Sequence, residues 1–240
     1  MQALTSVSHV ANAPKILFFG QKNCKYSEQT HAFLMHLGFD VETVWSVNRT
    51  EKLPDDVKTW QGDYILCFRS YFLLPVSLIE RAKIAAINFH PAPAEYPGSG
   101  CINWALYEDA KEYGVTAHIM NEKIDNGAII ECRRFPVFPQ DTVSTLLARA
   151  HQKSFDLIVD IVGGIYLGGR DFLDQKILAS SHEKWRGKAR KMYEIDKLQI
   201  IPLDCSKEEL DRIIRATDTP KFPPYIELHG HKFFLERKGI

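Results

Sequence analysis

The sequence predicts an α/β protein with a doubly wound sheet, followed by a small extension made of a helix and a β-hairpin. Three observations carry this. Short, almost wholly apolar runs alternate with stretches of helical spacing through the first half of the chain, the order expected of β-α-β units. The runs are too apolar for a sheet with one wet face, so both faces are covered. Regular periodicity lapses after Leu167 and returns at Ser206.

The elements follow in order. Residues 15–20 (KILFFG) form the first strand, and Cys24 to Leu37 places apolar residues at helical spacing until Gly38 stops it. Phe39 to Trp45 (FDVETVW) alternates as a second strand, and Asp63 to Phe68 (DYILCF) is a third. A short helix near Val76 to Ala82 leads into the strand Ile84 to Phe89. The next segment, HPAPAEYPGSG, is too rich in Pro and Gly for helix or central strand and is a run of turns. Cys101 to Ala110 reads as helix, and Gly114 to Met120 and Ala128 to Val137 as strands joined by NEKIDNG. Asp141 or Thr142 caps a long helix that the pair Gly163 and Gly164 is expected to end near Val162.

The main domain is therefore expected over residues 1–166 and the extension over 167–240. Leu167 to Leu203 reads as polar and irregular, with a basic cluster, KWRGKARK, around Trp185 that resembles a solvated surface. Ser206 and Glu209 form a capping box for a helix through Ala216, and Tyr225 to Leu235 is a hairpin turning near Gly230.

Composition narrows the function. Lys plus Arg and Asp plus Glu are both 30 in 240 residues, so no global basic charge points to nucleic acid, and a tRNA-sized partner is disfavoured. No apolar run approaches a membrane span, and the stretch up to Pro14 does not resemble a leader, which predicts a soluble cytoplasmic protein. The five cysteines are scattered without metal-ligand spacing, and no metal site is expected.

Three polar residues stand where an apolar strand meets a loop: Asn88 and His90 in INFHP, and Asp125 in KIDNG. Residues two apart on a strand share a face, so Asn88 and His90 project together at the carboxyl end where such sheets bind ligands. A carboxamide beside an imidazole suits a developing oxyanion and a proton transfer. Asp125 would orient the ring or stabilise its protonated form. Taken singly, such a His is more often structural than catalytic and such an Asp more often a turn residue.

The run INFHPAPAEYPGSGCINWAL, followed by YGVTAHIMNEKIDNGAII, resembles the core of the folate-dependent formyltransferases. The shared features are Asn88 to Pro91, Pro97 to Gly98, Gly114 to His118, and Asp125 to Gly127, and the resemblance covers roughly residues 15–165. It implies a Rossmann-like formyltransferase core, 10-formyltetrahydrofolate as cosubstrate, and Asn88, His90 and Asp125 as catalytic residues. It further implies direct attack of an amine on the formyl carbon, with protonated His90 and Asn88 holding the oxyanion and Asp125 either keeping His90 charged by raising its pKa or relaying the amine's proton. The pterin of this family lies against two loops, which map here to Tyr71, Phe72 and Leu73 and to Asn121, Lys123 and Ile124. His118 comes with the strand and reads as structural.

The chain after Leu167 is most similar to the tail of the sugar N-formyltransferases, which implies a dTDP- or UDP-linked amino deoxysugar as acceptor, as in bacterial surface polysaccharide (O-antigen) synthesis, and a possible homodimer. The alternatives are methionyl-tRNA or glycinamide ribonucleotide formyltransferase, or formyltetrahydrofolate hydrolase. For a nucleotide sugar, Lys22 and Asn23 in the GQKN loop are the expected pyrophosphate contacts. Trp104 and Tyr225 are the expected base or sugar contacts, with Trp185, Arg186 and Phe222 as further candidates. The loop PAPAE, shorter than the family's usual form and carrying Glu95, departs from the pattern.

Overall fold

A computed structural model describes residues 13–236. The expectation about a leader concerns mainly residues 1–12, which lie outside the described residues. The chain divides into two compact units, Met1–Ala86 and Ile87–Ile240, rather than at the predicted 166/167 point, which falls inside a helix.

In the first unit, β1 (Lys15–Gln21), β2 (Asp40–Ser46) and β3 (Gly62–Phe68) run parallel in the order β2-β1-β3. The apolar run of the sequence explains the placement, since Ile16, Leu17, Phe18 and Phe19 on β1 and Ile65, Leu66 and Phe68 on β3 are buried. Each such side chain contributes roughly 1.5–3 kcal/mol on leaving water. Helix α1 (Lys25–His36) joins β1 to β2, and Gly38 follows it with φ +81. A short helix, α2 (Val76–Ile79), leads into β4 (Ala82–His90), which begins in the first unit and ends in the second.

The second unit adds antiparallel strands to the sheet. Strands β5 (Glu112–Ile119) and β6 (Ile129–Pro136) are antiparallel, β5 to β4 and β6 to β5. The loop between β5 and β6 is too short for the crossover that parallel strands require. Between β4 and β5 stands α3 (Cys101–Tyr107), tied to the extension by Asn103 Nδ2 donating to the carbonyl of Ala216 at 2.6 Å.

Helix α4 spans Val143–Ala179, well beyond the predicted end at Val162, with a break at Gly169 (φ +54, ψ −131). Thr142 caps it, its hydroxyl accepting from Thr145 N, as the sequence indicates. Gly163 and Gly164 do not stop it. A Cβ on Gly164 would lie 2.1 Å from the Phe172 ring, so the missing side chain is what lets that ring pack there. Much of the segment read as irregular is therefore helix, including a further turn, α5 (Tyr193–Leu198).

Helix α6 (Lys207–Thr217) starts at Ser206, whose hydroxyl accepts from Glu209 N. The reciprocal half of the expected capping box is replaced: Glu209 accepts from the Tyr107 hydroxyl at 2.6 Å instead. Strands β7 (Tyr225–Leu228) and β8 (His231–Phe234) form the predicted hairpin, turning through His229 and Gly230 with φ of +50 and +80. No helix among the described residues is long and apolar enough to cross a membrane.

Candidate active site

The second unit gathers the three predicted catalytic residues. On the β4/β5 pair Asn88 stands opposite His118, and His90 opposite Thr116. All four side chains belong to one polar file on an otherwise apolar pair. A register shift in the β5/β6 pairing falls between Ala117 and His118, the kind of irregularity that re-aims a side chain. Thr116 turns its hydroxyl to the carbonyl of Ala92 at 2.8 Å and anchors the loop after β4.

Asp125 stands at the centre. Its φ is +44, a left-handed conformation that Asp tolerates better than most side chains but that still costs on the order of 1 kcal/mol. Its Oδ2 lies 3.3 Å from His90 Nδ1 and accepts from Gly98 N at 2.8 Å. Its Oδ1 lies 3.3 Å from His118 Nε2 and accepts from Asn88 Nδ2 at 3.4 Å. Burial by itself would raise its pKa, but the His90 and His118 rings and the Gly98 N–H outweigh that and hold it at about 2. The carboxylate is charged at neutral pH.

His90 is buried, with Nε2 at 2.9 Å from the carbonyl of Tyr96. Its pKa is lowered, because loss of solvent around the ring outweighs the upward pull of Asp125 and of the Tyr96 carbonyl, and His118 adds to the lowering. This corrects the expectation that Asp125 would leave His90 protonated at rest. The geometry adds a second point. Both ring nitrogens face oxygens that only accept, and a neutral imidazole has one N–H to offer. The surroundings thus keep the ring neutral yet offer two acceptors to the imidazolium once it forms.

His118, read as structural, is part of the cluster. Its Nδ1 faces the carbonyl of Ile119 at 2.9 Å and its Nε2 faces Asn88 Nδ2 at 3.1 Å. The signal was present in the sequence, since Thr116 and His118 repeat the polar two-residue spacing of Asn88 and His90. Cys101 approaches His90 Nε2 at 3.7 Å and its thiol donates to the carbonyl of Gly98 at 3.3 Å. Burial pushes this thiol up to about 12, so it is no nucleophile.

Trp185 also belongs here. Its ring meets His118 edge-on at 5.0 Å and His90 at 5.9 Å between centroids, and its Nε1 donates to the carbonyl of Gly127 at 2.8 Å. The basic run is therefore not simply a solvated face. Arg186 N donates to the carbonyl of Ala94, and Arg190 exchanges backbone hydrogen bonds with Pro97 and Ser99.

The remaining predicted residues divide. In the first unit, Lys22 and Asn23 are exposed after β1, with Asn23 at φ +58. Tyr71 accepts at its hydroxyl from Gln21 Nε2 at 3.0 Å. Phe72 is buried edge-on against Phe19 at 6.1 Å, a core position, whereas Leu73 is 78% exposed. In the second unit, Asn121 makes a turn by accepting from Lys123 N at 2.9 Å, and Ile124 is exposed. Trp104 carries the Arg190 guanidinium 4.2 Å above its ring. Tyr225 is buried beside Phe234 and under Lys232, a packing role rather than an open contact. Phe222 caps the turn before β7, its N bonded to Thr219. Among the described residues no group of acidic, His and Cys side chains has the arrangement of a metal site.

Residues 15–162 match the model of the family described as formyl transferase, and the chain belongs to that family. Among sequence relatives, the methionyl-tRNA formyltransferase of Thermosynechococcus vestitus is 25% identical over 142 residues, covering 59% of this chain and 43% of that one. The chain thus spans less than half the length of that relative. Among solved structures, a 4-N formyltransferase from Francisella tularensis aligns with a TM-score of 0.69 at 19% identity, over 95% of this chain and 99% of that one. The N-formyltransferase from Helicobacter canadensis, solved with folinic acid and dTDP-3-aminofucose, aligns at 0.65 with 16% identity, over 90% and 85%. At these identities the structural likeness concerns the fold.

Proposed function

We propose that this chain moves the formyl group of 10-formyltetrahydrofolate to the amine of a nucleotide-linked amino deoxysugar, in the cytoplasm and for surface polysaccharide synthesis. The observation that carries formyl transfer is the convergence of Asn88, His90, His118 and Gly98 on the Asp125 carboxylate. Support for the sugar acceptor comes from the two sugar-type or 4-N formyltransferase folds that pair with nearly the whole of this chain, extension included. A second reading, formylation of methionyl-tRNA, is favoured by the sequence relative that carries that name.

The residues divide the work as follows. Neutral His90, with Asp125 behind it, takes the proton that the acceptor amine loses as its new bond to the formyl carbon forms. Asp125 and the Tyr96 carbonyl then hold the imidazolium, and the proton leaves with the departing tetrahydrofolate nitrogen. Asn88 steadies the formyl oxygen by giving up the longer of its two bonds, the 3.4 Å contact to Asp125. The inert Cys101 thiol is consistent with direct transfer. Within the second unit, the exposed apolar side chain of Ile124 beside the turn at Asn121 fits a flat ring with a polar edge.

The test is incubation with the formyl donor and a panel of dTDP- and UDP-linked amino sugars, glycinamide ribonucleotide and charged tRNA. The reading expects a mass gain of one formyl group on a sugar. Gain only on tRNA or the ribonucleotide rules out the sugar.

A further inference from the structure

We propose that Trp185 is a positioning residue for the catalytic cluster: its indole closes the His90 and His118 rings against water and fixes the Asp125 loop through Gly127. This rests on the reading of His90 and Asp125 as the catalytic pair. A strap carries the tryptophan. Residues 183–190 are fastened to the loop 94–99 by Arg186 N on the carbonyl of Ala94 at 2.9 Å, Ser99 N on the carbonyl of Arg190 at 2.8 Å, and Arg190 N on the carbonyl of Pro97 at 3.0 Å.

Side chains reinforce the same join. Arg134 bridges Glu95 and Glu183 at 2.9 and 2.8 Å, Arg186 approaches Glu95 at 3.5 Å, and Arg190 meets Glu108 at 2.8 Å while lying over Trp104. Glu95, carried by the short PAPAE loop, is the strap's anchor here. Gly98 allows the close approach: at φ +92, a Cβ on it would lie 2.3 Å from the Arg190 carbonyl oxygen.

The strap therefore delivers Trp185 to a defined place. The indole meets both histidine rings in edge-to-face contact, and its N–H is bonded to the carbonyl of Gly127, two residues from Asp125. Two opposite ends of the Asp125 environment, the Gly98 N–H and the Gly127 carbonyl, are then held by one segment. The charged and titratable groups around His90 are Asp125, His118 and the Cys101 thiol, with the Tyr96 carbonyl on its far nitrogen. None of these is supplied by the strap, so removing the indole changes solvent access without changing local charge.

The experiment is an NMR titration of the imidazole signals in the full chain, with His90 identified by the signal lost in His90→Asn. In Trp185→Ala the His90 midpoint moves up toward that of a free imidazole. The same variant loses on the order of ten-fold or more in kcat, while KM for the formyl donor changes little. Trp185→Phe, with a smaller ring and no N–H, shifts the midpoint in the same direction by less, and it decides the matter if the alanine variant fails to fold. An unchanged His90 midpoint in a folded variant overturns the proposal. A midpoint that moves in a protein that transfers no formyl group to any acceptor leaves Trp185 in its role and removes the catalytic reading instead.

Discussion

The carboxylate of Asp125 stands 3.3 Å from Nδ1 of His90, and both side chains are only 6% exposed. An ionised carboxylate beside a ring kept neutral by its own burial is an arrangement that favours proton uptake during reaction rather than before it. Asp125→Asn keeps the shape and removes the charge. Turnover is expected to fall by about 10²–10⁴-fold, the range for loss of a general acid-base partner, while donor affinity stays within a few-fold. Single-turnover kinetics and donor titration measure the two separately.

The same pair fixes how rate responds to pH. His90 titrates below the ordinary imidazole value, because burial outweighs the pull of Asp125. Transfer is expected to hold steady from neutral pH down past about 6.5, the unperturbed imidazole value, and to fall only on further acidification. A pH profile of kcat that falls on acidification through the unperturbed value itself, or above it, contradicts the neutral ring.

Stability follows the same signs. Asp125 has a folded pKa of about 2, below the usual 3.8, so its contribution is complete above the unfolded value and is lost as pH falls toward 2. The difference amounts to on the order of 2 kcal/mol. His90 acts in the same direction at higher pH, since a buried neutral ring loses stability as pH falls below its unfolded value. Urea melts of the wild type are expected to weaken from about pH 6.5 downward, and Asp125→Asn should lack the part below about pH 4.

Gly98 tests the backbone that holds the carboxylate. Its φ is +92, and a methyl group there would lie 2.3 Å from the Arg190 carbonyl oxygen, so none fits. Gly98→Ala is expected to cost about 1–3 kcal/mol, measured by chemical denaturation, and to lower kcat as the Asp125 bond is lost. Thr142→Ala is the control, costing roughly 1 kcal/mol of capping with turnover unchanged.

What the sequence made legible was local. Asn88 and His90 could be paired from the two-residue period of one strand, and Asp125 stood in a short loop within a recognisable motif run. The two-residue spacing of Thr116 and His118 marks a shared face, but setting His118 against Asn88 required the antiparallel register, a long-range fact. Trp185 required the bonds from Arg186 to Ala94 and from Arg190 to Pro97, which no periodicity encodes. The end of α4 departs from its local signal for a related reason. Gly163 and Gly164 carry a local stop signal, but Gly164 serves the packing of Phe172, and tertiary packing prevailed over propensity.

Formyl transfer to a nucleotide-linked amino sugar is the activity proposed for the Asp125-centred cluster. Its most direct test is mass spectrometry of the sugar after one incubation with the formyl donor, run side by side with wild type and His90→Asn. The account predicts one added formyl group with the wild type and nearly none with the variant. Equal formylation by both, or none by either on any nucleotide amino sugar, contradicts it.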